Sequence, residues 1–220
     1  MKIIYFDNNA TTRVADEVYE AMEPYLRTFY GNPSSMHTFG GQVGVKIRQA
    51  RESVARLLGC DPSEIIFTSC GTESDSTAIL GTLSAVPHRR KVITTRVEHP
   101  AVLTVCRDLE SRGYTVIELS VDKLGRLDLS ELEHHLDDDT ALVTIMYANN
   151  ETGVIFPIEQ IAEMVTSRGV IFHTDAVQIV GKMPLNLAKS RINLLSLSGH
   201  KLHAPKGVGA LYVKRGTRIS

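Results

Sequence analysis

The sequence predicts an α/β domain with a largely parallel sheet, because short β-rich runs alternate with amphipathic helical stretches along the chain. Two of the runs, 143–146 and 170–172, are continuously apolar, which is typical of strands that helices cover on both faces. No repeat, low-complexity tract or linker-like stretch interrupts the alternation. The predicted strands are 64–68, 91–95, 115–119, 141–147, 170–174, 194–197 and 208–213, and the predicted helices are 15–27, 43–58, 74–86, 101–112, 129–136 and 158–167.

The N-terminal part differs from the rest because polar loops flank its helix. Helix 15–27 lies between loops 7–12 and 31–37, in which Asn, Gly and Pro favour turns and Thr12 is a candidate helix cap. Polar loops of a compact domain often carry function, so both loops are also candidate parts of a site.

Later helices begin where their flanking residues favour a start. The small and hydroxyl residues 69–74 follow strand 64–68 and open helix 74–86. Pro100 lies at the start of the helix that follows strand 91–95, a position where its missing N–H has no cost. These signals support the alternation of strands and helices.

The composition is that of an ordinary globular protein, with 43% apolar and 22% charged residues and a formal net charge of −1. This charge predicts no overall attraction to nucleic acid or to an anionic membrane. No apolar run reaches the ~18 residues of a membrane span, and the N-terminus turns polar too early for a signal peptide. Cys60, Cys70 and Cys106 lack the spacing of a disulfide framework, so we expect reduced thiols in a cytoplasmic protein.

A lysine and an aspartate follow two neighbouring strands of the predicted sheet. Lys201 comes after strand 194–197 among small and hydroxyl residues that can bind an anion, and Asp175 ends strand 170–174. Ligands of open α/β sheets bind beyond the carboxyl ends of the strands. A reactive lysine and an acid at two such ends suit pyridoxal phosphate, whose aldehyde binds a lysine and whose pyridine nitrogen pairs with an acid.

Other polar motifs fall at strand ends, and each has two interpretations. Residues 69–74 form either a phosphate site at a helix start or a simple Ser/Thr cap. His99 either stacks on a planar cofactor and moves protons or caps the helix that Pro100 begins. Asn149 and Asn150 fit either a turn or hydrogen bonds to a substrate, and the local sequence favours the turn.

A metal site is a competing interpretation of some of these residues. His173 and Asp175 have a His-x-Asp spacing, and His200 and His203 are further candidate ligands. A divalent metal site does not require the lysine that lies between the last two histidines, so we predict no metal.

The same motifs resemble those of the NifS-type cysteine desulfurases, and the resemblance covers essentially all 220 residues. It is carried by the segments 5–12, 31–35, 68–79, 98–100, 148–153, 173–178 and 198–207, of which 69–76 and 200–207 look most like the nitrogen-fixation branch. The resemblance implies the pyridoxal phosphate-dependent transferase fold of type I, in which a mostly parallel, mixed sheet lies between helices in a large domain.

The resemblance also implies roles for residues around the cofactor ring. Lys201 corresponds to the lysine that forms the Schiff base, and Asp175 to the acid that pairs with the pyridine nitrogen. Gln178 corresponds to the side chain that bonds the ring oxygen, and Asn150 lies by that oxygen and the substrate carboxylate. His99 corresponds to the histidine that stacks on the ring and assists proton transfer.

Five further positions match the residues that hold the phosphate in this family. They come from the start of the third predicted helix and from the turn before the lysine, and they are Gly71, Thr72, Ser198, Gly199 and His200.

The activity implied is conversion of L-cysteine to L-alanine, with transfer of the sulfur to an enzyme cysteine as a persulfide. An iron–sulfur scaffold protein would accept that sulfur, in nitrogenase cluster assembly for this branch, and the full-length enzyme would be a homodimer. Another fold-type I enzyme, such as a selenocysteine lyase or an aminotransferase, would share Lys201 and Asp175. A non-catalytic scaffold is the second alternative.

Members of this family continue well beyond the position of Lys201, so we expect the chain to be an N-terminal portion with the small domain largely missing. We predict a segment 1–14 associated with the small domain and the active site, and a cofactor-binding domain over 15–220. Cys70 lies by the phosphate site, at the wrong end of the cofactor to attack the substrate sulfur. Because the sequence stops after a β-rich run, we also expect exposed apolar surface there.

Overall fold

Seven strands form one sheet in the computed structural model, which describes residues 4–220. The strands are β1 Ile65–Thr68, β2 Lys91–Thr95, β3 Thr115–Leu119, β4 Thr140–Thr144, β5 Ile171–Asp175, β6 Leu194–Ser198 and β7 Gly209–Val213. Their order across the sheet is β1-β7-β6-β5-β4-β2-β3, and only β7 runs antiparallel to its neighbours. The predicted α/β architecture with a mostly parallel, mixed sheet is confirmed.

Six α-helices connect or precede the strands in the described residues. They are α1 Asp16–Arg27, α2 Thr38–Leu58, α3 Gly71–Ala85, α4 Pro100–Ser111, α5 Leu129–His135 and α6 Ile158–Thr166. The predicted start of α2 at residue 43 was wrong by five residues, because the His37 ring caps the helix earlier by accepting a hydrogen bond from Gly40 N at 3.2 Å. None of these helices has the length and apolarity needed to cross a membrane.

The apolar strands are covered on both faces, as their composition predicts. One core cluster contains Val143 and Phe172 together with the buried side of α6, and a second contains Leu142 packed against α3 and α4. Neighbouring residues of β4 therefore belong to opposite layers, which explains why its three central residues 141–143 are all apolar.

The three cysteines are free thiols, as the sequence predicts. Burial raises the pKa of Cys106 to about 12, and burial together with nearby Glu64 does the same for Cys60. Both groups therefore stay protonated at neutral pH and serve the packing of the core.

The exposed apolar surface is at the opposite end of the chain from the one we expected. Ile219, the second-last residue of the sequence, packs against α3 at Gly81, and Ser220 N donates to the Gly81 carbonyl at 3.1 Å. In contrast, α1 has no buried residue, and its Leu26 is 71% exposed. The apolar surface thus lies on the N-terminal helix, because nothing in residues 4–220 covers it.

Candidate active site

A cavity of about 590 Å³ lies beyond the carboxyl ends of the central strands β5 and β6. All the predicted site residues except Gly199 line it, so motifs far apart in the sequence meet in one place. Gly199 is buried beside it, where a Cβ atom would lie 2.7 Å from Val208 Cγ1. The structure thus gives Gly199 a packing contact, and its predicted contact with a phosphate stays a prediction.

Asp175 and Lys201 are the charged pair at the centre of this cavity. Asp175 is buried at the end of β5, and its Oδ1 accepts a hydrogen bond from Val177 N at 2.9 Å. Burial raises the pKa of Asp175, whereas that hydrogen bond and the nearby His99 and Lys201 side chains lower it. The hydrogen bond and the Lys201 amine therefore favour the carboxylate form of Asp175, against the effect of burial.

Lys201 lies on the 3-10 turn Gly199–Lys201 that directly follows β6. Burial, followed by the charge of Lys182, lowers the pKa of its amine, and Asp175 acts in the opposite direction. Its Nζ donates to the backbone carbonyl of Asn9. A half-buried lysine with a lowered pKa has more of its neutral, nucleophilic form near pH 7 than an exposed one.

The start of α3 forms a cradle that suits an anion. Cys70 precedes the helix without making a side-chain cap, so the first N–H groups of α3 have no side-chain acceptor from that residue. Gly71 follows, and a Cβ atom there would lie 3.0 Å from Val177 Cγ2 and 3.5 Å from the Ser198 Cβ. The absence of a side chain at Gly71 keeps this helix start accessible, and its N–H groups and dipole favour a phosphate.

The position of His99 agrees with both of its predicted roles, as a helix cap and as a residue at the cofactor site. It caps α4, since its Nδ1 accepts a hydrogen bond from Ala101 N at 3.1 Å, and its side chain also lines the cavity. Because Nδ1 is an acceptor, Nε2 is the ring nitrogen left to donate a hydrogen bond. The cap therefore fixes the orientation of the ring at the cavity wall.

The two asparagines after β4 have separate functions in the structure. Asn149 forms the predicted turn, since its Oδ1 accepts hydrogen bonds from Glu151 N, Thr152 N and Thr152 Oγ1 at 2.9–3.1 Å. Asn150 lines the cavity and donates only to the neighbouring Glu151 carboxylate. Of the pair, Asn150 is the one placed to meet a ligand.

The N-terminal loop 7–12 closes one side of the cavity. Thr12 N and Oγ1 both donate to the His200 carbonyl, at 2.9 and 2.8 Å. The Asn9 carbonyl accepts from Gln178 Nε2 at 3.0 Å as well as from Lys201. Asp7, Asn9 and Ala10 consequently line the cavity beside the lysine.

The similarity of this chain to known proteins agrees with this geometry. A family model described as aminotransferase class-V matches residues 4–218. The chain belongs to this family. Class-V aminotransferases are pyridoxal phosphate enzymes, and their fold is the type I fold described above.

The similar proteins are named as cysteine desulfurases. The chain is 65% identical over 219 residues to a cysteine desulfurase of Trichormus azollae and 61% identical over 220 residues to the cysteine desulfurase NifS of Azotobacter vinelandii. All of this chain is matched, but it spans about 55% of the length of these curated relatives.

Solved structures give the same result for the fold. A NifS-like protein has a TM-score of 0.95 at 45% identity, and the match covers 98% of this chain and 60% of that chain. A structure described as SspA in complex with cysteine has a TM-score of 0.93 at 39% identity, with coverage of 97% and 62%.

Two buried carboxyl groups near the cavity were not predicted from the sequence. Asp75 on α3 lines it, and Glu98 lies next to His99 and accepts hydrogen bonds from Thr95 Oγ1 at 2.7 Å and Met146 N at 2.9 Å. The helical spacing of Asp75 with the apolar residues of the same helix face was the signal that it is buried.

The described residues offer no arrangement that matches a metal site or a Cys70 thiol that attacks the substrate sulfur. Among residues 4–220, no group of three His, Cys, Asp or Glu side chains is arranged to hold a metal ion. The His203 ring faces the Arg13 carbonyl, and His173 lies between two hydroxyl groups. Cys70 lines the cavity at the start of α3, which is the predicted phosphate end.

Proposed function

We propose that this chain carries the cofactor site of a pyridoxal phosphate-dependent cysteine desulfurase. The observation that carries the proposal is the position of Lys201 and Asp175 at the ends of the adjacent strands β6 and β5, in one cavity with the start of α3. The desulfurase names of its relatives support the choice among class-V aminotransferases.

The residues present fit pyridoxal phosphate at both of its ends. The free N–H groups at Gly71 and Thr72, with the Ser198 and His200 side chains, would hold the phosphate. Gly199 would contribute by letting this turn pack closely, since its N donates to the Val208 carbonyl at 2.9 Å. When bound, the cofactor supplies an electron sink that stabilises negative charge at the substrate α-carbon.

The side chains on the other sides of the cavity have complementary roles. Lys201 would bind the cofactor aldehyde through Nζ and, once released, accept the α-proton of the substrate at the same atom. Asp175 would hold a negative charge against the pyridine nitrogen. His99 would hold a proton at Nε2 beside the ring, and the amides of Gln178 and Asn150 would bond the ring oxygen and the substrate carboxylate.

The substrate of the proposed reaction is L-cysteine, and the products are L-alanine and protein-bound persulfide sulfur for iron–sulfur clusters. Cys60 and Cys106 serve the core, and Cys70 lies at the phosphate end. We therefore assign the persulfide-forming thiol to sequence that the relatives carry beyond the matched region. An iron–sulfur scaffold as acceptor, a homodimer and a cytoplasmic location complete the proposal.

The domain assignment is part of the same proposal. Within the described residues 4–14, the hydrogen bonds of Thr12 to the turn that carries Lys201 support a role at the active site for the proposed segment 1–14, whose residues 1–3 lie outside the described residues. Residues 15–220 would form the cofactor-binding domain.

Reductive trapping tests this function on the chain itself. Pyridoxal phosphate is added, the absorption spectrum is recorded, and borohydride reduction is followed by peptide mapping. We expect one labelled peptide containing Lys201, loss of the label in Lys201→Ala, and retention in Lys206→Ala, which replaces an exposed lysine of the same loop. Label spread over surface lysines, or unchanged in Lys201→Ala, would contradict the proposal.

A further inference from the structure

A second buried carboxyl group lies beneath the cavity that Asp175 lines. Asp75 extends from α3 toward the sheet, is 1% exposed, and also contributes to the cavity wall. Its Oδ1 is fully buried and has no hydrogen-bond partner within the described part of the chain. An oxygen of this kind is costly for an ionised carboxylate, because nothing replaces the water that it has lost.

The polar side chains packed near Asp75 carry no positive charge. His173 Nε2 is 3.7 Å from Asp75 Oδ1 and 2.9 Å from Ser196 Oγ, while Nδ1 is 2.8 Å from Thr144 Oγ1. Burial lowers the pKa of His173 to about 3, so the ring is neutral. No lysine or arginine within residues 4–220 forms an ion pair with Asp75.

Asp175 has a different environment, although it is equally buried. It accepts a hydrogen bond from Val177 N, and this bond and the nearby His99 and Lys201 side chains lower its pKa, against burial, which raises it. Burial and the charge of Asp175 raise the pKa of Asp75 well above its usual range, as do Glu98 and Cys70, and only the Ser196 hydroxyl opposes them. When two carboxyl groups share one buried region, the one with the hydrogen bond and the nearby positive charge ionises.

We propose that Asp75 is a positioning residue that is held as the neutral acid, so that the negative charge at this end of the cavity is confined to Asp175. An ionised Asp75 would favour protonation of Asp175 and remove the charge that holds a protonated pyridine nitrogen. The inference rests on the proposed function in one respect: that the nitrogen facing Asp175 is the pyridine nitrogen of pyridoxal phosphate.

Carbon-13 NMR of the cofactor-free, 220-residue chain tests the assignment directly. Aspartate is labelled at the carboxyl carbon, and Asp75→Asn and Asp175→Asn assign the two resonances. At pH 7 we expect the Asp75 carbon in the protonated position and the Asp175 carbon in the ionised position. The reverse assignment, or two ionised groups, would overturn the proposal.

The pH dependence of unfolding gives a second, independent readout. A carboxyl whose pKa is raised in the folded chain loses its proton on unfolding, so its contribution to stability falls as the pH rises above the unfolded value of about 4. The unfolding constant of the unaltered chain should therefore rise about tenfold per pH unit relative to Asp75→Asn. Parallel pH profiles for the two proteins would overturn the proposal.

The test remains decisive if the Asp75→Asn variant does not fold or if the cofactor does not bind. If Asp75→Asn does not fold, Asp75→Ser is used in its place, and the unaltered chain must still show a protonated aspartate carbon at pH 7. Its absence overturns the proposal without any variant. Because both measurements use cofactor-free protein, a failure of reductive trapping at Lys201 would count against the proposed function alone.

Discussion

Burial shifts the pKa values of the two central charged residues, Lys201 and Asp175, in opposite directions, and each residue favours the charged form of the other. It lowers the pKa of Lys201 and raises the pKa of Asp175, while the attraction between them opposes both changes. The lysine is thereby brought toward its nucleophilic form, while its charge favours the carboxylate form of Asp175. At the residue scale, the chemistry of the cavity depends on which buried side chains remain charged.

Gly71→Ala tests the phosphate cradle. The added Cβ would lie 3.0 Å from Val177 Cγ2 and would occupy the space at the start of α3. We expect the dissociation constant of pyridoxal phosphate to rise about tenfold or more, which equals about 1.4 kcal/mol. Gly41→Ala is the matched control, since its Cβ would have no atom within 4 Å. An equal effect of both substitutions in a fluorescence titration would contradict the cradle.

Glu98→Gln tests the buried carboxyl beside His99. Burial raises the pKa of Glu98 to about 8, so the folded chain holds a proton that the unfolded chain releases between about pH 4.5 and 8. Stability should fall with rising pH in this window, by about 1.4 kcal/mol per pH unit, and the glutamine variant should lack this dependence.

Urea unfolding at four pH values between 5 and 8 measures the effect. Glutamine keeps an oxygen that accepts from Thr95 and Met146, so the comparison changes the proton and little else. A variant that loses stability with pH as steeply as the unaltered chain would show that Glu98 is ionised throughout.

Residue chemistry was predictable from sequence only where position along a strand determined it. Lys201 and Asp175 were found because both follow strands whose ends meet at one edge of the sheet. Asp75 and Glu98 were missed because the burial of a charge depends on which helix packs over it. The Asn9 carbonyl was missed because a backbone acceptor leaves no mark on the residue type.

At the scale of elements, the loop after β4 separates stability from binding. Asn149 donates to the Val97 carbonyl at 3.1 Å and accepts three hydrogen bonds, whereas Asn150 has one exposed side-chain partner. The loop therefore holds one asparagine rigidly so that the next is presented to the cavity.

The pair Asn149→Ala and Asn150→Ala tests this separation. We expect Asn149→Ala to cost about 2 kcal/mol of unfolding free energy, because it leaves the half-buried N–H groups of Glu151 and Thr152 without an acceptor and the Val97 carbonyl without a donor. Asn150→Ala should leave stability within about 0.5 kcal/mol and weaken cofactor binding several-fold. Thermal unfolding and cofactor titration of both variants measure the two effects, and a reversed pattern would contradict the assignment.

Element positions were predictable from apolar periodicity, but boundaries were set by contacts that periodicity does not contain. β4 ends at Thr144 instead of residue 147, although Ile145 N and Tyr147 N still donate to β5 carbonyls at 3.2 and 2.8 Å. α3 begins at Gly71, three residues before its predicted start, because the small residues there already adopt helical geometry. That shift places the helix start directly at the cavity.

At the scale of the whole molecule, the sheet and its two layers form a closed unit, and α1 lies outside it. The apolar face of α1 forms a shallow groove of about 440 Å³. Its lining includes Val18, Met22 and Leu26, which recur at helical spacing. The sequence predicted that apolar surface would be exposed but placed it at the wrong terminus, because the packing of Ile219 on α3 is not visible in a strand pattern.

This surface predicts self-association of the isolated chain, since contiguous exposed apolar groups favour contact with one another. Leu26 is 71% exposed, so Leu26→Lys should not disturb the core, and its charge suits the carboxyl end of the helix. We expect the sedimentation coefficient to rise with protein concentration and the substitution to weaken association roughly tenfold. Leu124→Lys is the matched control, because Leu124 is 65% exposed in a loop away from α1. A concentration-independent monomer, or an equal effect of the two substitutions, would show that the face of α1 does not drive association.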